Sequence, residues 1–183
     1  KFSKSKVVIY LKSNNTNMST QYLMKPQYLM QFDGGSRGNP GPSAAGAVLF
    51  HHNDEQPNEQ IWESSIYLGD SQTNNYAEYH SLILGLEQIF EHLNATVAPT
   101  VAEPIHVLVQ GDSALAINQV NGLWAVRAEH IIPLHRRACE LVRNIRNIVP
   151  DKITLTLEHI KRNKNKIADA LVNRELDSRE QTA

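Results

Sequence analysis

Apolar and polar residues alternate along most of this chain in short blocks, and the blocks change period from element to element. Tyr28–Asp33 is a brief apolar run ending in a carboxylate and predicts a strand; Ala44–Phe50 and Gln60–Leu68 predict two more. Between the first two lies Gly34-Gly35-Ser36-Arg37-Gly38-Asn39-Pro40-Gly41-Pro42, a run of turn formers. Between the next two, the polar stretch His51–Glu59 contains Pro57 and reads as a hairpin loop, so the three strands form an antiparallel meander.

The period then lengthens. After Thr73-Asn74-Asn75, the residues Tyr76, Tyr79, Ile83, Leu86, Phe90 and Leu93 recur at helical spacing and line one face of a helix of roughly 18 residues. Asn94–Pro104 is a loop. Ile105–Val109 is a nearly unbroken apolar run, the signature of a central strand covered on both faces. Gly111-Asp112-Ser113 marks a junction of strand and helix, and His130–Val149 carries Leu134, Leu141, Ile145 and Ile148 at helical spacing. Lys152–Ile160 alternates Ile153, Leu155 and Leu157 with Thr154, Thr156 and Glu158, a fifth strand, and Asn165–Asp177 closes as a helix. The order β-β-β-α-β-α-α-β-α predicts an α/β domain with a five-stranded mixed sheet flanked by helices.

Composition narrows the function classes. The 183 residues fit one domain, and no apolar run reaches the roughly 20 residues that cross a bilayer, so no membrane contact is expected. Cys139 is the single cysteine, which rules out an internal disulfide and a thiolate zinc cluster and suits a reducing, intracellular setting, cytoplasm or nucleus. The net charge of −1 hides a split: residues 1–27 hold five lysines and no acid, leaving 13 basic against 19 acidic residues, or −6, for the remainder. Residues 1–27 read as a basic, disordered extension without the arginines or apolar core of a targeting peptide, 28–177 as the domain, and 178–183 as a tail. An acidic domain argues against a nucleic-acid partner unless its acids form a cluster that cations neutralise.

Four acids lie at element boundaries: Asp33 ends the first strand, Glu78 falls in the first turn of the first helix, Asp112 follows the central strand, and Asp169 opens the last helix. Singly, each has an ordinary role. Asp112 can cap a helix, Glu78 and Asp169 can answer a helix dipole, and Asp33 can start a turn. Together, at the strand-end crevice where α/β sheets bind ligands, they would repel one another without a cation. Two Mg²⁺ ions about 4 Å apart require such a convergence of hard oxygen ligands.

The blocks around these acids carry a resemblance. Phe32-Asp33-Gly34-Gly35-Ser36-Arg37-Gly38-Asn39-Pro40-Gly41-Pro42, Thr73-Asn74-Asn75-Tyr76-Ala77-Glu78-Tyr79, Gly111-Asp112-Ser113 and His159 through Leu171 resemble, in order, the four signature blocks of type 1 ribonuclease H. The resemblance spans about residues 28–177. It implies the ribonuclease H-like fold and an endonuclease that cuts the RNA strand of RNA–DNA hybrids with two metal ions, Mg²⁺ or Mn²⁺, leaving 5′-phosphate ends. By position, Asp33, Glu78, Asp112 and Asp169 are its metal-binding carboxylates. His159 stands ten residues before Asp169, at the spacing of the family's catalytic histidine, and Arg162 competes for that role. Gly35, Ser36, Asn39, Asn74, Asn75 and Arg162 match positions that touch the hybrid, whose 2′-hydroxyls and groove shape are read by small polar groups.

The connection Gln119–Arg127 replaces the long basic handle of many members, so the chain resembles the handle-less subgroup and is expected to be a monomer. Lys161, Arg162, Lys164 and Lys166 form the densest basic cluster. Two other readings stand beside this one: a non-catalytic hybrid-binding module, and a ribonuclease H domain excised from a reverse transcriptase polyprotein. A proofreading-type exonuclease would show Asp-x-Glu where Asp33 is followed by Gly34-Gly35, and an integrase would place its glutamate last.

Overall fold

The computed structural model describes residues 26–52 and 58–180; the predicted extension, except Pro26 and Gln27, and most of the predicted hairpin loop lie outside them. Strands β1 (Tyr28–Ser36), β2 (Gly41–His51) and β3 (Glu59–Gln72) are followed by helix α1 (Asn74–Thr96) and strand β4 (Ile105–Gly111). Helices α2 (Ala114–Val120) and α3 (Ile132–Arg146), strand β5 (Ile153–His159), a 3₁₀ turn at Arg162–Lys164 and helix α4 (Lys166–Glu180) complete the order. The sheet runs β3-β2-β1-β4-β5. Its first three strands are antiparallel, and β4 runs parallel to both β1 and β5. This is the predicted five-stranded mixed sheet.

Alternation along the strands sorts the core onto two faces. Met30, Phe32, Ala47, Leu49, Val107 and Leu155 pack with Tyr79, Leu82, Leu86 and Ile145 of α1 and α3. On the opposite face Val48 and Phe50 meet Leu171, and Ala44 meets Val172 and Leu176, all from α4. Strand β2 lies under helices on both sides and is buried from Ser43 to Phe50. Gly46 lets α4 settle close: a Cβ there would stand 2.9 Å from Leu171 Cβ and 3.3 Å from the Ala168 carbonyl.

Several boundaries differ from the sequence reading. The turn-former run yields only residues 37–40 to the loop, because Gly34–Ser36 still pairs with Ala45–Ser43 of β2 and the Arg37 amide bonds the Pro42 carbonyl at 2.8 Å. A ladder needs only backbone groups, so glycines can extend it. Helix α1 has 23 residues rather than roughly 18, and α4 runs to Glu180, beyond the predicted end of the domain. Gln27, the last residue of the predicted extension, is tied to the sheet: its backbone and side chain bond His106 and Pro104, and its carbonyl accepts from His52.

Candidate metal centre

The parallel pairing of β1 with β4 ends at Phe32 opposite Gly111, while β1 continues along β2 through Asp33 and Gly46. A crevice opens where the two strands part. Asp33 enters it from β1, and Asp112 enters from the junction after β4, ahead of Ser113, which caps α2. Glu78 arrives from above on α1. Thr73 caps that helix, its side chain accepting from the Tyr76 amide at 3.3 Å, so Glu78 stands in the second turn, not the first as predicted.

Gly34 allows the approach, since a Cβ there would lie 2.2 Å from the Ala77 backbone carbon and 2.3 Å from the Glu78 nitrogen. Asp33, Glu78 and Asp112 each offer a carboxylate oxygen within 4.8 Å of the others. Asp33 and Glu78 are buried, and Asp112 is half-buried.

Burial and mutual repulsion are the main perturbations of this cluster. Desolvation, then the charges of Asp112 and Asp169, push Asp33 from the ordinary 3.8 up to about 8. Glu78 is raised by burial first and then by Asp33 and Asp112, against a stabilising hydrogen bond from the Gly34 amide. Glu78 Oε2 is buried with no hydrogen-bond partner. Acids that resist ionisation alone, with an orphaned oxygen among them, fit a divalent cation: its charge removes the repulsion and its coordination shell takes the unpaired oxygen.

Asp169 sits in the first turn of α4 but outside that group of three. Its carboxylate is 2.6 Å from Arg162 and 3.0 Å from the Asn173 amide. Arg162 is 75% exposed, so this pair can open to solvent. His159 lies exposed at the end of β5, with Nε2 3.2 Å from the Asp112 backbone oxygen. It borders the cluster from the solvent side.

The groove residues divide. Asn39 is exposed and its Oδ1 accepts from the Asn74 amide at 3.1 Å, tying the glycine-rich loop to the start of α1. Asn75 is exposed and Asn74 half-buried. Ser36 Oγ is already engaged with the Gly38 and Gln72 carbonyls, and Gly35 packs against Val172. Trp124 is 52% exposed on the loop between α2 and α3.

One residue at the site drew no assignment from the sequence. Asn165 is fully buried, and its amide reaches Asp112 Oδ1 at 2.9 Å. Its only signal was its place four residues before Asp169, and an asparagine there reads equally well as a turn former.

Known proteins resemble this chain in sequence and fold. The profile of the family described as reverse transcriptase-like matches residues 31–175. The chain belongs to that family. Its relatives and structural neighbours include type 1 ribonucleases H. The chain is 35% identical over 146 residues to ribonuclease HI of Halobacterium salinarum, covering 80% of this chain and 62% of the relative. Bifunctional protein Rv2228c of Mycobacterium tuberculosis is 34% identical over 155 residues, 85% of this chain, and the chain spans only 37% of its length. A crystal structure of LC11-RNase H1 in complex with RNA/DNA hybrid superposes with a TM-score of 0.64 at 32% identity, over 82% of this chain and 97% of that one.

Proposed function

We propose that this domain is an RNA–DNA hybrid endonuclease that hydrolyses the RNA strand with divalent metal, using Asp33, Glu78, Asp112 and Asp169 as ligands. The observation that carries the reading is the convergence of three carboxylates from β1, α1 and the end of β4, two of them buried and one with an orphaned oxygen. Two Mg²⁺ ions, or Mn²⁺ in their place, supply Lewis acidity to the attacked phosphorus and charge stabilisation to the departing 3′-oxygen.

The chain's own residues do the rest. Asp33 is presented from within β1 and Asp112 just after the end of β4, and Glu78 is held against Gly34. Asp169 is released to the site when Arg162 turns outward to a phosphate. His159, exposed beside Asp112, assists proton transfer or product release. Asn39 of the glycine-rich loop and Asn74 and Asn75 at the start of α1, joined by a hydrogen bond, face the 2′-hydroxyls across the minor groove. The connection at residues 121–131 contains Arg127 and no lysine, which supports the handle-less subgroup. Among the described residues no helix is long and apolar enough to cross a membrane. The single cysteine supports an intracellular setting.

The test is cleavage of end-labelled hybrid beside matched RNA and DNA duplexes, with and without Mg²⁺, and with one to five consecutive ribonucleotides in a DNA strand. Cutting of the RNA strand only, dependent on Mg²⁺ and rising towards four or five ribonucleotides, is expected. Tight binding of the hybrid without cleavage would instead favour the non-catalytic module.

A further inference from the structure

A cluster of carboxylates that holds cations needs partners that fix the acids without cancelling their charge. Lysine or arginine would orient a carboxylate but would also compete with the cation for it. Asn165 meets the requirement. Its side-chain nitrogen donates to the Phe32 carbonyl at 2.8 Å and to Asp112 Oδ1 at 2.9 Å. Both partners are acceptors, so the amide has one sensible orientation. Its backbone carbonyl accepts from the Asp169 amide at 3.0 Å, and its backbone amide donates to the Arg162 carbonyl at 2.9 Å.

One residue therefore bonds three elements that carry carboxylates: β1 immediately before Asp33, the β4–α2 junction at Asp112, and the first turn of α4 at Asp169. The position is not tuned for stability. Asn165 is fully buried and its Oδ1 has no partner, a cost that an apolar residue would avoid.

We propose that Asn165 is a positioning residue for the metal centre: its two amide hydrogens lock Asp112 to the β1 backbone and leave the cluster's negative charge intact for the cation. The inference rests on reading the cluster as a divalent-metal site. Serine at 165 keeps one donor and alanine none. Partners that orient metal ligands are typically worth 10–100-fold in affinity.

Mn²⁺ binding by electron paramagnetic resonance, on the full chain without nucleic acid, reads this directly. Asn165→Ala is expected to weaken Mn²⁺ binding at least about tenfold, with Asn165→Ser in between. Hybrid cleavage by the variants should recover as Mg²⁺ is raised, with KM for hybrid unchanged at saturating metal. Wild-type Mn²⁺ affinity in both variants, with only thermal stability lowered, would overturn the proposal and leave Asn165 a purely structural residue. Absence of Mn²⁺ binding by the wild type would overturn the metal reading, and this inference with it. If neither variant folds, the ¹⁵N–¹H resonances of the wild-type Asn165 side chain decide. They should shift on Mg²⁺ addition, and resonances that stay in place count against the assignment.

Discussion

Asp112 is held by a neutral donor and faces two buried acids, so its charge and its shape can be separated by experiment. In Asp112→Asn the new amide can still accept from Asn165 through its own oxygen, while the charge is lost. Hybrid cleavage is expected to fall by about 10²–10³-fold or more, with an unchanged circular dichroism spectrum and a melting temperature equal to or above that of the wild type. Cleavage near the wild-type rate would remove Asp112 from the proposed mechanism. The raised pKa of Asp33 carries a second expectation. The cation-free folded chain keeps a proton that the unfolded chain releases above its ordinary 3.8, so the stabilisation is complete below that pH and is lost as pH rises through about 8. Glu78 shifts in the same direction. Denaturation in EDTA should show falling stability from pH 4 to pH 8, a slope that Asp112→Asn flattens and saturating Mg²⁺ offsets. A flat wild-type profile in EDTA would show that Asp33 and Glu78 are neither desolvated nor crowded by the other acids as this geometry requires.

At the scale of elements, the site is a matter of how closely α1 and α4 approach the sheet. Gly34 is where β1 touches α1, and its backbone amide also bonds the Glu78 carboxylate. Gly34→Ala must push the start of α1 outward, because its Cβ meets backbone atoms that cannot rotate away. A loss of about 1–3 kcal/mol in chemical denaturation is expected, together with weaker Mn²⁺ binding as Glu78 leaves Asp33. The same substitution with unaltered stability and cation affinity would mean that the helix seat is looser than this geometry implies. Helices α1 and α3 were legible from their periodicity, and Thr73, just ahead of the first, caps it. Their ends were less so, since α1 continues through the exposed residues Asn94, Ala95 and Thr96 after its apolar face has ended, with the Asn94 and Thr96 side chains bonding the Phe90 and His92 carbonyls.

For the molecule as a whole, we place the boundary between extension and domain one residue earlier than composition suggested, because Gln27 pairs across to His106 and His52. Removing residues 1–25 is expected to leave kcat on a short hybrid within about twofold, and to weaken binding only at low salt as five lysines are lost. Removing Pro26 and Gln27 as well should lower the melting temperature, since the His106 and His52 amides lose their partners. Equal melting temperatures for the two truncations would refute that boundary. The order of elements and the mixed sheet could be read along the chain, and so could the four acids as a set, although Asp33 falls inside β1 and Glu78 in the second turn of α1, because periodicity and motif spacing are properties of neighbouring residues. The sequence could not show that Asn165 reaches Phe32 and Asp112, that Arg162 occupies Asp169, or that Ser36 is spent on backbone carbonyls. The Asn165 bonds join residues 133 and 53 positions apart, which meet only because the strand order sets β4 beside β1 and α4 across the sheet. Local chemistry named the acids; the closing of the sheet and the seating of two helices on glycines decided which of them meet, and in what state of charge.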